Sequence, residues 1–491
     1  MKKGFDRKKY LELQTKEILN RIKRFDNKLY LEFGGKMFDD LHASRCIPGF
    51  RPSDKLELLH KLKDKLEIIF CINAKDIEQH KIRADLGITY DIEVLRLIDN
   101  LRGMKMLINC VVITQFAGQK AADSFRKKLE QRDIKTYIHS TTKGYPTDVD
   151  MIVSDEGYGA NSYIETTRPL VIVTAPGPGG GKLATCLSQL YHEYKRGVKA
   201  GYAKFETLPV WNLPLKHPLN VAYEAATADL GDSTMVDYFH LEAHKKMAIN
   251  YNRDMEIFPV LKNILAKIHG SAMYSSPTDM GVNMIGSCIS NDILVREHSR
   301  IEIIRRYYNS LAALKKGTLD ESVPNRIKVL MNELFISTDE RAVINVALEK
   351  SQKSGKPVMA IKLPNGKIVT GKDTDVMTAP ASCIINSIKC LAKIHDSIHL
   401  LAPLVVDPLV KTKSQFSNTT TLLSLQDVII ALSISAATNP TIEVAMKQLS
   451  KLAECDAHAS HFVSVADEEM LRTLKITLTT EPDYFTNKLF F

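Results

Sequence analysis

The first part of the chain alternates between helical and strand-like hydrophobic patterns. The segment DKLELLHKLKDKL places Leu59, Leu62 and Leu66 on one helical face, and EIIFCI then has the unbroken apolar run of a buried strand. A helix (ITYDIEVLRLIDNLRGM), a strand (LINCVVITQF), a helix (QKAADSFRKKLEQRD) and a strand (IKTYIHS) follow. Two further apolar runs, 149–154 and 169–174, are predicted strands. This alternation predicts a parallel α/β sheet.

The pattern changes twice along the rest of the chain. Residues 275–335 are mainly helical in period, and a second set of helices and strands follows. We therefore predict an α/β, multidomain protein. Its N-terminal domain, 1–272, has a Rossmann-like or P-loop-like parallel sheet. A helical segment covers 273–338, and a smaller C-terminal α/β domain covers 339–491.

Turn and cap residues predict where individual elements of the C-terminal domain begin and end. Asn365 and Gly366 lie between two apolar runs, as a two-residue hairpin turn requires. Asn439, followed by Pro440, predicts the start of a helix over NPTIEVAMKQLSKLAECD. The runs HLLAP and HFVSV are predicted strands.

Composition narrows the class of protein without indicating a function. A hydrophobic content of 44% with 25% charged residues is typical of globular chains. No segment reaches the roughly 18 uninterrupted apolar residues of a membrane helix, and the N-terminus lacks a signal-peptide pattern. We predict a cytoplasmic protein without a membrane partner.

The net charge of +9 is concentrated at the N-terminus. Residues 1–30 hold ten Lys or Arg and four Asp or Glu. A solvated helix or an oligomer contact explains this excess, and we predict a homo-oligomer. No zinc-finger spacing or aromatic RNA-binding signature is present, so nucleic acid is not a predicted partner.

A glycine-rich stretch, TAPGPGGGKLAT, joins a predicted strand to a predicted helix. Gly177, Gly179, Gly180 and Gly181 allow backbone N–H groups to approach an anion, and Lys182 supplies a cation. The N-terminus of the following helix adds partial positive charge. These five residues, together with Thr185 in the first turn of that helix, are the predicted phosphate-binding site. The alternative is a glycine-rich turn that only shapes the corner.

The stretch departs from the nucleotide-binding pattern G-x-x-x-x-G-K-[ST] at two positions. Pro176 occupies the first glycine position, and Leu183 follows the lysine where a hydroxyl would bind Mg²⁺. Thr185 is the nearest hydroxyl and is the predicted metal ligand. Asp155, after the apolar run DMIVS, is a second candidate, because strand-end carboxylates hold Mg²⁺-bound water in nucleotide hydrolases. A solvated turn is the alternative for Asp155.

Beyond the helix, the order of glycine loop, helix and lysine-bearing strand resembles small-molecule ligases and kinases of the dethiobiotin-synthetase type. The resemblance covers the stretch from the glycine loop to Glu206. It implies that Lys204 stabilises the charge of a transferring phosphoryl group and that Glu206 binds metal or substrate. The alternative is an ion pair on the surface.

A third constellation lies near the C-terminus, in AECDAHASHFVSVADE. Cys455, His458 and His461 are spaced by three residues, which on a helix would bring a thiolate and two imidazoles together as zinc ligands. Asp467 is a possible fourth ligand. Structural polar contacts are the alternative.

Long motifs carry a resemblance over the whole chain. LEFGGKMFDDLHASRCIPGF, TAPGPGGGKLATCLSQLYHEYKRG, GYAKFETLPVWNLPLKHPLNVAYEAATADLGD and AHASHFVSVADEE resemble a bacterial family known only as domain of unknown function 1846. The resemblance implies a large N-terminal and a smaller C-terminal domain, and it implies no reaction.

The residues together predict a function of phosphate recognition. We expect the chain to bind a nucleoside triphosphate or another phosphorylated small molecule, with Mg²⁺ as cofactor, and to transfer or hydrolyse the phosphoryl group. Lys182, Lys204, Asp155 and Glu206 are the expected catalytic residues. The alternatives are a non-catalytic oligomeric binding or scaffold protein, and a metal-dependent hydrolase that uses Cys455/His458/His461.

Overall fold

The computed structural model describes residues 3–38, 40–83, 86–416 and 421–485. The chain divides into two compact units, Lys2–Ser299 and Arg300–Phe491. Each unit contains its own sheet, so the fold is of the mixed α/β class that the hydrophobic pattern predicts.

The first unit is built around a seven-stranded sheet. Its strands and those of two small ribbons are β1 Leu29–Phe33, β2 Leu66–Asn73, β3 Ile82–Arg83, β4 Ile88–Thr89, β5 Leu107–Thr114, β6 Thr136–Ile138, β7 Leu170–Thr174, β8 Gly201–Phe205, β9 Thr234–Val236, β10 Ile249–Tyr251 and β11 Gly281–Val282. The order in the main sheet is β11-β8-β1-β7-β2-β5-β6, and every neighbouring pair is parallel.

Helices of the first unit connect these strands. They are α1 Arg7–Arg24, α2 Leu41–Cys46, α3 Asp54–Lys61, α4 Ala74–Glu78, α5 Tyr90–Gly103, α6 Lys120–Glu130, α7 Val149–Ile152, α8 Lys182–Lys195, α9 Pro218–Ala226, α10 Tyr238–His244, α11 Asn252–His269 and α12 Pro277–Met280. All residues of the central strands β1 and β7 are buried, which explains why these strands read as continuous apolar runs rather than alternating ones.

The predicted strand at 149–154 is wrong. Asp148 accepts a hydrogen bond from the backbone N–H of Met151 at 2.9 Å and so caps the short helix α7 over this segment. A local side-chain cap therefore outweighs the strand-like apolar pattern of VDMIV.

The second unit contains helices around a four-stranded sheet. α13 Asp292–Lys315 begins in the first unit and ends in the second. The other elements of the second unit are α14 Ser322–Glu333, α15 Val343–Ser354, β12 Val358–Lys362, β13 Ile368–Lys372, α16 Ala379–Ala392, α17 Pro403–Phe416, α18 Leu425–Ala436, α19 Pro440–Met446, β14 Asp456–Ala459, α20 Val465–Thr473 and β15 Thr477–Thr480. The strand order is β13-β12-β14-β15, with β14 and β15 parallel and the other pairs antiparallel.

Several local predictions for this unit can be compared with the structure. The hairpin of β12 and β13 is present, but its turn has three residues and ends at Gly366, whose φ is +86°. Asn439 caps α19 as predicted, through Thr441 N. The strands predicted at HLLAP and HFVSV are wrong, because α17 begins at Pro403 and the strand of the second stretch lies earlier, at β14.

Candidate functional site

The strand order creates two crevices at the carboxyl edge of the main sheet. After β7 the chain crosses to β8 on one side of the sheet, whereas after β2 it continues to β5 on the other side. The neighbouring pair β8 and β1 diverges in the same way, because β8 leads to β11 and β1 leads to β2. Ligands of open α/β sheets bind beyond the strand ends at such divergence points.

The loop of residues 175–181, here called the glycine loop, follows β7 at the first of these crevices. Gly179 and Gly181 have φ values of +74° and +85°, which side chains with a Cβ atom rarely adopt. A Cβ atom at Gly181 would also lie 2.7 Å from the side chain of Thr114 at the end of β5. The backbone path of the loop therefore depends on glycine at both positions.

Glycine is required at positions 177 and 180 because a Cβ atom at either position would overlap neighbouring atoms. A Cβ atom on Gly177 would overlap the ring of Tyr90, and a Cβ atom on Gly180 would lie 2.6 Å from the Cβ of Ala175. The glycines thus let the loop pack closely against the ends of the neighbouring elements.

Neighbouring strand ends hold the carbonyl groups of the loop and leave its amides unpaired. Asn73 Nδ2 donates to the carbonyl of Gly179 at 3.3 Å, and Thr114 Oγ1 donates to the carbonyl of Gly180 at 3.0 Å. Among the described residues, the backbone N–H groups of 179–183 make no hydrogen bond of normal geometry, although the turn at 178–179 directs Gly180 N–H towards the carbonyl of Gly177. Successive unpaired N–H groups at a helix N-terminus form an anion-binding concavity.

Lys182, the first residue of α8, is close to the carboxylate of Glu32 on β1. The Nζ–Oε1 distance is 4.0 Å, and Glu32 Oε2 accepts a hydrogen bond from Tyr202 Oη at 2.8 Å. The Lys182 side chain is only 15% exposed. Its ammonium group therefore lies in a partly desolvated position beside the glycine loop.

Further partly buried charges adjoin the pair Lys182 and Glu32. Glu32 and Lys204 are direct neighbours in the register of β1 and β8. Lys204 Nζ lies 2.6 Å from Asp254 Oδ2 on α11 and 2.5 Å from Glu206 Oε1. Lys182, Glu32, Lys204, Glu206 and Asp254 thus form one group, called here the charge cluster, with three carboxylates and two ammonium groups.

The environment changes the pKa of two members of the charge cluster. Burial has the largest effect on the pKa of Glu206 and raises it, Lys204 opposes this change, and the resulting pKa is about 7. Burial alone would lower the pKa of Lys204, but the carboxylates of Asp254, Glu206 and Glu32 raise it well above its usual value. Lys204 is therefore a permanent cation, and Glu206 is able to exchange a proton near neutral pH.

Two predicted metal ligands do not lie in the cluster. Thr185 is buried, and its Oγ1 accepts a hydrogen bond from Cys71 Sγ at 3.4 Å. Asp155 is bound by Tyr191 Oη at 3.0 Å and by Lys195, near the other end of α8. At 1.5 Å per residue, Lys195 is about 20 Å along the helix from Lys182. Asp155 and the glycine loop are thus at opposite ends of α8.

Cys455, His458 and His461 are also separated from one another. Cys455 immediately precedes the strand β14, and His458 lies within that strand, so neither is on a helix. Side chains three residues apart in an extended chain face opposite sides of the sheet. His458 Nδ1 lies 2.8 Å from Thr479 Oγ1, whereas His461 Nδ1 lies 2.9 Å from Ser460 Oγ. The expectation of a shared helical face is wrong, and the hydrolase alternative loses its geometric basis.

Sequence reasoning missed two members of the charge cluster, Glu32 and Asp254. An isolated glutamate within the apolar run LYLEF, followed by Gly34 and Gly35, is a usable signal, because a carboxylate in a buried strand needs a partner. Asp254 has no comparable local signal, since only the packing of α11 brings it to Lys204.

The helices in the described ranges do not have the combination of length and hydrophobicity that crossing a membrane requires.

Comparison with known proteins gives matches over nearly the whole chain. Residues 3–335 match the model described as "Domain of unknown function DUF1846, N-terminal", and residues 339–490 match the corresponding C-terminal model. A UPF0371 protein of Clostridium tetani (strain Massachusetts / E88) is 53% identical over 501 residues, and one of Clostridium botulinum (strain Alaska E43 / Type E3) is 54% identical. Both alignments cover 100% of each chain.

Proposed function

We propose that this chain, which belongs to the DUF1846 family, binds a phosphorylated small molecule at the glycine loop. The observation that carries the proposal is the run of unpaired N–H groups at 179–183, beside the ammonium group of Lys182. Amides and an ammonium group together match the charge and the several acceptor oxygens of a phosphate. A nucleoside triphosphate is the first ligand to test.

The charge cluster supports a role for Mg²⁺ in the same proposal. Glu206 and Asp254, which both pair with Lys204, would supply one or two carboxylate oxygens, the number that Mg²⁺ usually takes from a protein beside phosphate oxygens and water. They take the place that sequence reasoning assigned to Thr185 and Asp155, which face other partners. When bound, Mg²⁺ would offset the negative charge of the phosphate oxygens.

Phosphoryl transfer or hydrolysis is the reaction that these groups serve best. Lys182 and the loop amides would hold the non-bridging oxygens, and Lys204 would offset the negative charge that develops during transfer. Glu206, whose pKa is about 7 in the metal-free chain, would accept a proton from the attacking hydroxyl or water, in which case Asp254 would be the carboxylate that holds Mg²⁺.

Ligand-dependent stabilisation tests the proposal directly. Trp211 is the chain's one tryptophan and lies in the first unit, so its fluorescence follows the unit that holds the glycine loop. A ligand at about 100 times its Kd stabilises by about 2.7 kcal/mol. For a unit of about 300 residues this raises the Tm by about 4 °C.

The probes are MgATP, MgADP and magnesium pyrophosphate, with Lys182→Ala as the test variant. We expect Lys182→Ala to weaken binding by about tenfold to a hundredfold, the value of a hydrogen bond to a charged group. Lys195→Ala, at the far end of the same helix, is the matched control and should bind normally. No Tm shift with any probe, or equal binding by both variants, would overturn the proposal.

Two further measurements separate catalysis from binding alone. Release of inorganic phosphate from MgATP that is lost in Glu206→Gln supports transfer or hydrolysis, whereas binding without release indicates the scaffold alternative. Assembly as a homo-oligomer stays a prediction, which light scattering of the purified chain tests.

A further inference from the structure

Two short helices of the first unit, α10 and α12, are joined by one buried carboxylate. Asp237 Oδ1 accepts a hydrogen bond from the backbone N–H of His240 at 2.9 Å and so caps α10. Its Oδ2 accepts hydrogen bonds from Thr278 N at 3.1 Å and Thr278 Oγ1 at 2.6 Å. Because Asp237 is fully buried, these bonds hold the two helices in a defined relative position.

This arrangement brings two histidines of α10 to one aspartate of α12. His240 and His244 are four residues apart, which places their rings on one helical face, and the ring centroids are 4.5 Å apart. Asp279 Oδ2 lies 3.0 Å from His244 Nε2, and Asp279 Oδ1 lies 3.5 Å from His240 Nδ1. Within the described ranges, this is the one group of three such side chains with ligand atoms all within 4.8 Å of one another.

We infer that His240, His244 and Asp279 bind a first-row transition-metal dication, with Zn²⁺ as the expected ion. Two imidazole nitrogens and one carboxylate oxygen form a ligand set that Zn²⁺ uses when it retains an open position. Bond lengths of about 2.0 to 2.2 Å place tetrahedral ligands about 3.4 Å apart. The two nitrogen–oxygen distances given above, 3.0 and 3.5 Å, are near this value.

The surroundings of the three side chains agree with a bound ion. Both imidazoles approach the same carboxylate, whereas one ion pair would need only one of them. Ser275 N donates to Asp279 Oδ2 at 3.2 Å and orients the carboxylate. Ser276 Oγ lies 3.0 Å from His240 Nδ1, the ring nitrogen that faces Asp279, and would give up this contact when the ion binds. The His244 side chain is 41% exposed, which leaves access for the ion and for a water or substrate ligand.

The metal site borders the charge cluster. Gly281 lies two residues after Asp279 and is the register partner of Lys204. A Cβ atom built on Gly281 would lie 4.0 Å from Glu206 Oε2. The inference is independent of the proposed phosphate site, because it uses different residues and a different class of metal ion. Lys182→Ala should accordingly retain full Zn²⁺ affinity.

Calorimetric titration of the full chain with Zn²⁺, after dialysis against a chelator, tests the site. We expect one ion per chain, and Co²⁺ as a second probe should give the absorption of a four-coordinate ion. Removal of groups that merely orient metal ligands costs about 10- to 100-fold in affinity. His244→Ala, which removes a direct ligand, should therefore weaken Zn²⁺ binding by at least about 100-fold.

Two further variants separate loss of a metal ligand from a general effect of substitution. Asp279→Asn changes one ligand with little change in volume and should weaken binding as His244→Ala does. His60→Ala removes an exposed histidine at the end of α3 and should bind Zn²⁺ like the unaltered chain. Absence of stoichiometric Zn²⁺ binding, or equal affinity in His244→Ala, Asp279→Asn and His60→Ala, would overturn the inference.

Discussion

Two glycines at the ends of α8 allow backbone strain and steric overlap to be measured separately. Gly181 and Gly197 have φ values of +85° and +83°, so alanine at either position carries the same conformational penalty, about 1 to 2 kcal/mol. They differ in space, because a Cβ atom at Gly197 has no neighbour within 4 Å among the described residues, whereas one at Gly181 lies 2.7 Å from Thr114. Overpacking of this kind adds about 1 to 3 kcal/mol.

We expect Gly197→Ala to lower the free energy of unfolding by about 1 to 2 kcal/mol. Gly181→Ala should lower it by about 2 to 5 kcal/mol in total. Urea denaturation followed by Trp211 fluorescence measures both values in the first unit. In a Thr114→Gly background the excess cost of Gly181→Ala should disappear, because the overlapping atoms are gone. Equal costs for the two alanine variants in the unaltered background would refute the packing that we describe for the glycine loop.

Three further predictions concern buried charges. The pKa of Glu206 is about 7 in the fold against an ordinary value of 4.5, so the folded state holds the proton more tightly. Stability should therefore fall as the pH rises from about 4.5 to 7, and Glu206→Gln should flatten that dependence in urea titrations at several pH values. Lys204→Met leaves the partly buried carboxylates of Asp254 and Glu206 without their cation, and the same fluorescence assay should show a loss of about 1 to 3 kcal/mol. A loss below about 0.5 kcal/mol would contradict the pairing. Arg341, only 1% exposed, binds Asp456 at 2.8 and 2.9 Å, so Arg341→Met should also cost about 3 to 5 kcal/mol, measured by near-ultraviolet circular dichroism of the second unit. An unchanged transition would contradict that assignment.

Hydrophobic patterning is a local property, and it correctly predicted the elements whose burial is uniform. The parallel strands β2 and β7 and the last five residues of β5 are buried in the sheet almost throughout, and their apolar runs carry that information in the sequence itself. The glycine loop could also be predicted from local sequence, because its glycines form a turn between two elements that are adjacent in the chain. Local pattern failed where side-chain caps or strand pairing decided the outcome, as at Asp148 and β14.

The composition of the charge cluster was decided by tertiary structure. Glu32 and Lys204 are 172 positions apart along the chain and become neighbours only because β1 and β8 pair in register. Asp254 joins them through the packing of α11, and Asp155 is excluded because Tyr191 and Lys195 hold it near the other end of α8. The sequence by itself determined the α/β class and the glycine loop, since both follow from short-range pattern. Strand order and helix packing decided which charges meet, because the free energy of those contacts depends on residues that are distant in the chain.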